Sequence, residues 1–554
     1  MKRITFFMAA MAVSFASYAV DMTGTYTVGT AGTYTTLKAA VDALNASTIT
    51  GNVVFEIVSD ISETAPIGLL AANGSYTITI KPAAAITPTL TFSGCNATAG
   101  ATQYSGFAIS GTSYVIIDGS NTVDGTTKDM TFKMNDGTNG RILVQLFGNC
   151  DNVTIKNLVI AYQAPMSTAT TTRGIYLNGQ STGACDNFTV ENCSIGDATN
   201  TPYYAVGITG YGTAPKIYST NNLIKNNILF GRIRPIYLYV AGTASTSNEI
   251  SNNTVSTFGG SNGTTTYTIF WNDWAGTLNI KNNKIPVLNV ANSSGTSGVY
   301  GISGLTAAVG SIVNVHNNFV GGTNTSTGVA IPSVFALMYI QDNATYNVFN
   351  NTFYYQSLTN AGEKSNIHIS GSTCTVNLKN NIIFNNSDNA TAYCVWKSNG
   401  TLNSDYNDLY VSGALANIGY LATAKKALSD WQIAFTPNND LNSKSVTVNF
   451  VDVATGDLRI TGASEHDDHL AVPRQADVLT DKLGTTRAAY TYAGAHEAAM
   501  PFYWTTVATP EVTARIMKTS SGIEVELDGE ANIELYTING VLIEKTKTSG
   551  SYSR

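Results

Sequence analysis

A short strand-like segment that ends in asparagine recurs along the middle of the chain and limits the folds that the chain can adopt. Apolar and polar residues alternate through each copy, an Asn follows, and in most copies an apolar residue comes soon after it. The copies lie 26 to 35 residues apart and are VTIKNLVI at Val153, FTVENCSI at Phe188, NLIKNNIL at Asn222, NEISNNTV at Asn248, LNIKNNKI at Leu278, VNVHNNFV at Val313, YNVFNNTF at Tyr346 and VNLKNNII at Val376. A fixed period of this length indicates a solenoid, in which each repeat packs against its neighbours.

Each repeat also contains a second short strand ahead of the Asn segment, such as GIYLNG at Gly174. Alternation places Ile175 and Leu177 on one face of that strand and Tyr176 on the other. The first face can be buried by stacking on the next repeat, and no segment keeps the 3.6-residue period of helical repeats. The pattern therefore predicts an all-β fold, a single-stranded parallel β-helix.

The aligned asparagines fall at one corner of successive coils. Asparagine tolerates the left-handed backbone of a tight turn, and its amide can hydrogen-bond one coil to the next. We therefore predict a structural ladder made of Asn157, Asn192, Asn226, Asn252, Asn282, Asn317, Asn350 and Asn380.

These Asn-containing strands resemble those of right-handed parallel β-helix proteins with the pectate-lyase-like architecture. The segments TYTVGTAGTYTTLKAAVDALNAS at Thr25 and YVIIDGSNTVDG at Tyr114 are similar to the opening of large secreted Bacteroidetes surface proteins. The resemblance implies a right-handed β-helix and an extracellular protein. One apolar helical face in this opening predicts an N-terminal capping helix, and it consists of Leu37, Ala40, Val41 and Leu44.

The first residues have the features of a secretory signal peptide. Lys2 and Arg3 precede an apolar run from Ile4, and small residues precede a cut after Ala19. No later apolar stretch is long enough to span a bilayer, so we predict a secreted protein, extracellular or on the outer cell surface, with no transmembrane segment.

Near the C-terminus, alternating segments flank Asn539-Gly540, a strong two-residue hairpin signal. This small antiparallel β unit resembles the C-terminal sorting domain of type IX secretion, which implies the type IX secretion machinery as a partner. The chain stops at Arg554, before the last strands usually present, so the unit corresponds to a partial, β-sandwich-like sorting domain.

The sequence thus predicts six segments. They are a signal peptide (1–19), an N-terminal cap with the first coils (22–140), regular coils (141–410), a terminal coil with a C-terminal cap (411–500), a linker (501–510) and the partial sorting domain (511–554).

Net charge and composition argue against two classes of function, nucleic-acid binding and polysaccharide cleavage. The net charge is −7 and no basic block is present, so we expect no nucleic-acid partner. Polysaccharide lyases need clustered acidic Ca²⁺ ligands and a base, and hydrolases need two placed carboxylates. The strands carry mostly Asn, Thr, Ser and Tyr, and we interpret the isolated carboxylates Asp273 and Asp342 as turn residues.

The segment SEHDDHL, from Ser464, is the densest group of metal-type ligands in the chain. Its spacing matches no standard site, so we interpret it as a solvated loop and expect neither a metal nor another cofactor.

An outward aromatic stripe is the clearest functional candidate. Aligned strands place rings at one outward position, with Gly207 and Gly301 as gaps; the candidate glycan-binding residues are Tyr176, Tyr237, Phe270, Tyr339 and His368. The rings could stack on the sugars of an extended glycan or pack against each other across coils. The leading hypothesis is non-catalytic binding of a polysaccharide or surface glycan, as in an adhesin. The alternatives are a lyase or hydrolase of the pectate-lyase-like fold, and a structural surface component.

Two cysteines occupy the same place in consecutive coils. Cys150 begins CDNVTIKN and Cys185 begins CDNFTVEN, one full turn later. The stacked coils bring their Cα atoms within disulfide range, whereas parallel side chains strain the torsion about the S–S bond. The pair is therefore a disulfide candidate, with two stacked free thiols as the alternative.

Overall fold

The computed structural model describes residues 21–93, 105–135, 141–163, 172–243, 246–258, 265–288, 298–323, 334–356, 362–435, 439–498, 503–505, 514–519, 522–536 and 542–553. Residues 1–20, the predicted signal peptide among them, and the Asn539-Gly540 turn lie outside the described residues. From residue 21 to residue 425 the chain winds through three long parallel sheets, which we name A, B and C. The predicted fold class, a parallel β-helix, is confirmed.

Sheet A contains the Asn-terminated strands. In order along the solenoid its strands are Asp21–Val28, Thr48–Ile57, Ile78–Pro82, Val115–Asp118, Thr154–Lys156, Thr189–Glu191, Leu223–Lys225, Ser247–Ser251, Thr277–Lys281, Ile312–His316, Thr345–Phe349, Thr375–Lys379 and Thr401–Asp405.

Sheet B follows sheet A in each coil. Its strands are Ile61–Glu63, Thr89–Phe92, Met130–Met134, Leu158–Tyr162, Ser194–Ile195, Ile228–Gly231, Thr254–Thr257, Lys284–Leu288, Phe319–Thr323, Thr352–Gln356, Ile382–Asn386 and Asp408–Val411.

Sheet C closes each coil and contains the aromatic strands. Its strands are Ile67–Leu69, Ser105–Ser110, Ile142–Phe147, Arg173–Asn178, Tyr204–Thr209, Ile236–Ala241, Thr266–Trp274, Val299–Gly304, Val334–Ile340, Glu363–Ile369, Ala392–Lys397 and Asn417–Leu421, with Thr423–Lys425 pairing antiparallel at the end.

The core is a set of vertical columns of apolar side chains. In sheet A the parallel register stacks eight inward residues, each at most 1% exposed: Ile155, Val190, Ile224, Ile250, Ile280, Val315, Val348 and Leu378. Burying a branched side chain on every coil contributes about 1.5 to 3 kcal/mol per residue, so the columns hold the coils together.

Helices close both ends of the solenoid. The N-terminal helix Leu37–Asn45 buries the apolar face that its sequence predicts, and Thr36 caps it by accepting a hydrogen bond from the N–H of Ala39. The carboxylate of Glu63 accepts from the N–H of Leu37 at 2.7 Å. The C-terminal helix Leu428–Gln432 places Trp431, which is fully buried, over Gly419 of the last parallel strand.

Residues 439–498 follow this helix and lie on the outer face of sheet B. Their apolar side chains, including Leu458 and Val472, form a second buried cluster with Phe319 and Phe384 of that sheet. The segment contains the strand pairs Phe450–Asp452 with Asp457–Ile460 and Ala471–Pro473 with Tyr490–Tyr492, and the 3-10 helices Val453–Thr455, Gly462–Glu465 and Asp468–Leu470.

The eight aligned asparagines all have left-handed backbone, with φ between 50° and 59°. The sequence predicts that their amides join the coils, and among them the amide of Asn192 does bond to Oδ1 of Asn157, at 2.7 Å. The continuous coil-to-coil ladder is instead formed by the residue after each corner, which turns inward. This buried ladder consists of Asn227, Asn253, Asn283, Asn318, Asn351, Asn381 and Asn407.

A four-stranded antiparallel sheet forms the C-terminal β unit, with strands Tyr503–Thr505, Ala514–Thr519, Gly522–Tyr536 and Leu542–Ser553. Among the described residues, no helix has the length and apolar character needed to cross a bilayer.

Candidate functional site

The parallel register of sheet C places the five predicted aromatic-stripe residues in one outward row. From coil to coil the row reads Tyr176, Gly207, Tyr237, Phe270, Ser303, Tyr339 and His368, and it continues with Trp396 and Tyr420. The first gap is Gly207, as the sequence predicts. The second gap is Ser303 rather than Gly301, because the strand Val299–Gly304 pairs two residues further along than the sequence alignment assumes.

A second outward row, three residues earlier in each strand, fills both gaps. The ring of Tyr204 lies between Tyr176, at 6.4 Å between centroids, and Tyr237, at 5.1 Å. The ring of Tyr300 likewise lies 4.4 Å from Tyr339. The result is a continuous ring stack, one contact after another, made of Tyr176, Tyr204, Tyr237, Phe270, Tyr267, Tyr300, Tyr339, His368, Trp396 and Tyr420.

Most rings in the stack are packed against their neighbours. Phe270 is 2% exposed and its ring is nearly parallel to that of Tyr237, at 7°. His368 is 6% exposed, and its Nδ1 lies 2.5 Å from a carboxylate oxygen of Glu363. Cross-coil packing, the alternative that the sequence left open, accounts for Phe270, Tyr339 and His368, because their faces contact other rings.

A groove of about 600 Å³ opens at the N-terminal end of the ring stack. Gly207 lies beneath it, and a Cβ there would be 2.5 Å from Cδ2 of Tyr176. The groove is lined by Arg173, Tyr176, Asn178, Gly179, Gln180, Tyr204, Thr209, Gly210, Tyr211, Gly212, Thr213, Tyr237 and Tyr239. Of the predicted stripe, Tyr176 and Tyr237 therefore belong to the groove.

The groove combines one cation with tyrosine rings. The guanidinium carbon of Arg173 lies 4.0 Å from the ring centroid of Tyr176, within the range of a cation–π contact. Burial raises the pKa of Tyr204 and of Tyr237, so both phenols keep their protons at neutral pH and can donate hydrogen bonds. No carboxylate is among the described residues that line the groove.

One wall of the groove is the loop that follows the strand Tyr204–Thr209. Tyr211 closes this loop by two backbone hydrogen bonds with Ile217, at 2.8 and 3.1 Å. Across from it the ring of Tyr239 is parallel to that of Tyr237, at 6.2 Å and 8°. Gly212 lets the loop approach, since a Cβ there would be 3.0 Å from the phenol oxygen of Tyr239.

Several groove residues were not predicted from the sequence, namely Arg173, Tyr204, Tyr211 and Tyr239. For Tyr204 a signal was present, because an aromatic residue stands three positions before the gap in that coil, as it does with Tyr300 before Ser303. Tyr211 lies in a loop, and the alternation that predicts the face of a strand residue does not predict where a loop side chain lies.

Neither isolated carboxylate is among the residues that line the groove, although Asp273 pairs with Lys216 of the loop that forms its wall. Asp342 is 2% exposed and accepts hydrogen bonds from Trp271 Nε1 at 2.9 Å, Tyr346 Oη at 2.7 Å and the N–H of Ala344 at 3.1 Å. Burial raises the pKa of this carboxyl. Asp273 has left-handed backbone, with φ 55°, and forms an ion pair with Lys216. Asp342 thus lies at a bend between two strands, in agreement with its interpretation as a turn residue, and is also a buried structural acceptor.

In the SEHDDHL segment the ligand atoms of Asp467, Asp468 and His469 lie within 4.8 Å of one another. Nδ1 of His469 is 2.8 Å from Asp467 and 3.3 Å from Asp468. Contacts of a histidine with adjacent carboxylates explain this proximity, and the imidazole is exposed.

Cys150 and Cys185 are buried free thiols, and Sγ of Cys150 lies 3.1 Å from the carbonyl of Gly148. The structure therefore has the stacked-thiol arrangement and not the disulfide.

Comparisons with known proteins give structural similarities alone. No protein-family model matches the chain, and no curated protein matches its sequence. Among solved structures, the complex of XylC with xylose is 10% identical, covering 86% of this chain and 98% of that one at a TM-score of 0.46. A pectin methylesterase from Aspergillus niger is 14% identical, covering 59% and 87% at a TM-score of 0.27. Pectate lyase II from Xanthomonas campestris pv. campestris is 14% identical, covering 49% and 81% at a TM-score of 0.21. At these values the matches carry no argument about activity.

Proposed function

We propose that this β-helix binds glycans without catalysis, through the groove at the N-terminal end of the ring stack. The observation that carries the proposal is the convergence of five tyrosines, Arg173 and the side-chain amides of Asn178 and Gln180 on one depression. Sugars present apolar C–H faces and a rim of hydroxyls, so rings and amides placed together complement both parts.

The residues have separable roles in this proposal. The rings of Tyr211 and Tyr239, which form the outer walls, offer apolar contact to a sugar. Asn178 and Gln180 can donate and accept, and Arg173 donates, to sugar hydroxyls or carboxylates. Tyr176, Tyr204 and Tyr237 form the floor and hold these groups in place through their ring contacts.

The composition of the groove favours binding over polysaccharide cleavage. A hydrolase needs two placed carboxylates, and a lyase with the chemistry of the related fold needs acidic Ca²⁺ ligands beside a base. The described lining supplies an arginine and uncharged groups.

We further propose that the chain is exported and acts outside the cell or on its outer surface. The signal-peptide pattern that ends at Ala19 supports export, and the similarity of the C-terminal β unit to a sorting domain supports a type IX route. A surface position would place the groove in contact with environmental or host glycans.

A glycan array probed with the full chain, followed by calorimetry with the best polysaccharide, tests the binding proposal. We expect Tyr211→Ala and Tyr239→Ala each to weaken binding by about tenfold, the loss of roughly one aromatic contact. Tyr76→Ala, which removes a 40% exposed tyrosine outside the lining, is the matched control and should bind normally.

Two results would overturn the proposal. One is equal binding by all three variants and the unchanged protein. The other is the appearance of new reducing ends or unsaturated products when the bound polysaccharide is incubated with the protein, which would indicate an enzyme.

A further inference from the structure

Several corner asparagines bind the backbone of chain segments that cross the corner between sheets A and B. Near the N-terminus, the amide of Asn157 donates to the carbonyl of Gly125 at 3.1 Å, and that of Asn192 to the carbonyl of Thr126 at 2.6 Å. A left-handed corner residue thus presents its side chain to a peptide that passes over it.

The same contacts recur near the C-terminus with a different segment, residues 471–494, which we name the C-terminal strap. The amides of Asn317 and Asn380 donate to the carbonyls of Thr480 and Pro473, each at 2.7 Å. The amide of Asn350 lies 3.4 Å from the carbonyl of Tyr492. The strap reaches the coil of Asn282, whose carbonyl accepts from the ammonium of Lys482.

Two corners lie between these covered stretches, at Asn226 and Asn252. Both have the same left-handed backbone, with φ 59° and 55°, and both side chains are exposed. Neither amide hydrogen-bonds to any residue of the described ranges, whereas the neighbouring corners on both sides are covered.

An apolar residue beside these corners is exposed as well. Ile228 begins the strand of sheet B and is 42% exposed. Its counterparts in register on the coils under the strap are Phe319 and Ile382, which are 2% and 0% exposed and belong to the cluster formed with residues 439–498. The positions between them in this register are Thr254 and Lys284, so the open corner keeps the amides of the strap's interface and, on the coil of Asn226, its apolar contact.

We propose that the open corner, made of Asn226, Asn252 and Ile228, binds an extended segment of a partner polypeptide. The partner's backbone carbonyls accept from the two amides, and an apolar side chain covers Ile228. The open corner is continuous with an interface that already holds peptide backbone on either side.

The charged side chains beside the open corner indicate how much charge the partner peptide can carry. Lys225 is paired with Glu191 at 3.0 Å and Lys281 with Glu249 at 2.8 Å, so the two sheet A lysines beside the corner are neutralised, and Lys284 of sheet B adds a single positive charge two coils from Ile228. The flank therefore calls for neither a strongly acidic nor a strongly basic partner, and a peptide with the strap's own composition, mostly apolar with isolated charges of both signs, fits it.

A peptide-binding measurement on the full chain tests the proposal. The probe is a fluorescein-labelled synthetic peptide with the strap sequence, residues 471–494, followed by fluorescence anisotropy. The test variant is N226G/N252G, which keeps the left-handed backbone and removes both amides. The matched control is N221G. Asn221 is exposed, has φ 56° and precedes the strand Leu223–Lys225, at the end opposite to Asn226.

We expect the double variant to weaken peptide binding by about tenfold or more, which corresponds to two lost hydrogen bonds, with N221G unchanged. Equal affinity for both variants, or no binding by the unchanged chain, would overturn the proposal. Loss of polysaccharide binding in the double variant would identify a glycan site, and loss of a concentration-dependent dimer in sedimentation would identify a second copy; either result would also overturn it.

Discussion

Asn351 and Asn381 lie one above the other inside the solenoid, and Oδ1 of Asn381 accepts two hydrogen bonds from Asn351. The backbone N–H of Asn351 donates at 2.9 Å and its side-chain amide at 3.1 Å. The same amide also donates to the carbonyl of Val315, at 2.7 Å. Both residues are fully buried. Each rung of the ladder thus pairs a buried polar group on one coil with partners on two others.

We predict that Asn351→Ala destabilises the solenoid by on the order of 3 kcal/mol. The substitution removes the acceptor of the N–H and amide of Asn318, both at 2.9 Å, and leaves buried donors without a partner. The measurement is the shift of the urea unfolding midpoint. Asn403→Ala, at the exposed end of an outward row of asparagines, is the control, and a shift of equal size there would contradict the prediction.

The sequence predicted the register of the Asn-terminated strands of sheet A and the capping helix, because both depend on apolar periodicity alone. Val190 and Ile224 stack as their alternation requires, and Leu37 and Val41 are buried. The left-handed corners lie at the predicted asparagines, whereas the continuous amide ladder is formed by the residue after each of them. A left-handed corner residue redirects the chain, so the side chain after it, such as Asn283, points inward, and this reversal does not follow from alternation.

The candidate site was predictable in part. Periodicity aligns Tyr176 with Tyr237, since both occupy strands. It does not show that Tyr204, from another row, places its ring between those of Tyr176 and Tyr237, because side-chain direction within a stack depends on the space that neighbours leave. Arg173 and the loop residue Tyr211 enter the groove through tertiary contacts.

We predict that Phe270→Ala lowers stability by about 3 to 5 kcal/mol, the usual cost of removing a buried aromatic side chain. Its ring contacts Tyr267 at 4.1 Å and Tyr237 at 5.7 Å. Thermal unfolding provides the measurement, with Phe258→Ala as control because that ring is half-buried on sheet B. Because Phe270 is outside the groove's lining, the substitution should change glycan affinity little. A large loss of glycan affinity without a loss of thermal stability would show instead that Phe270 takes part in binding.

We predict that burial of the Asp342 carboxyl makes the free energy of unfolding decrease as pH rises. Burial raises the pKa of Asp342 in the folded chain above its unfolded value, so the folded state binds the proton more tightly. The stability that protonation contributes is fully present below the unfolded pKa and is lost as pH rises through the folded pKa. The stability of the unchanged protein relative to D342N should therefore fall as pH rises from acidic to neutral. Unfolding midpoints measured at several pH values give the slope, and a parallel pH profile for the two proteins would refute the assignment.

The last prediction concerns the thiols of Cys150 and Cys185. The proximity of the two thiols raises the pKa of Cys185 and lowers that of Cys150, whereas burial raises the pKa of Cys193 to about 12. All three side chains are fully buried, and a buried thiol that a reagent cannot reach reacts slowly whatever its pKa. We expect iodoacetamide to spare all three cysteines in the folded chain.

After denaturation without a reductant, peptide mapping should find Cys150, Cys185 and Cys193 all alkylated. Cys193 is the internal control, because it is buried to the same extent and shows whether unfolding was complete. Alkylation of Cys193 with a cross-linked peptide that joins Cys150 to Cys185 would mean that the two coils are bridged, and the stacked-thiol arrangement would then be wrong for the protein in solution.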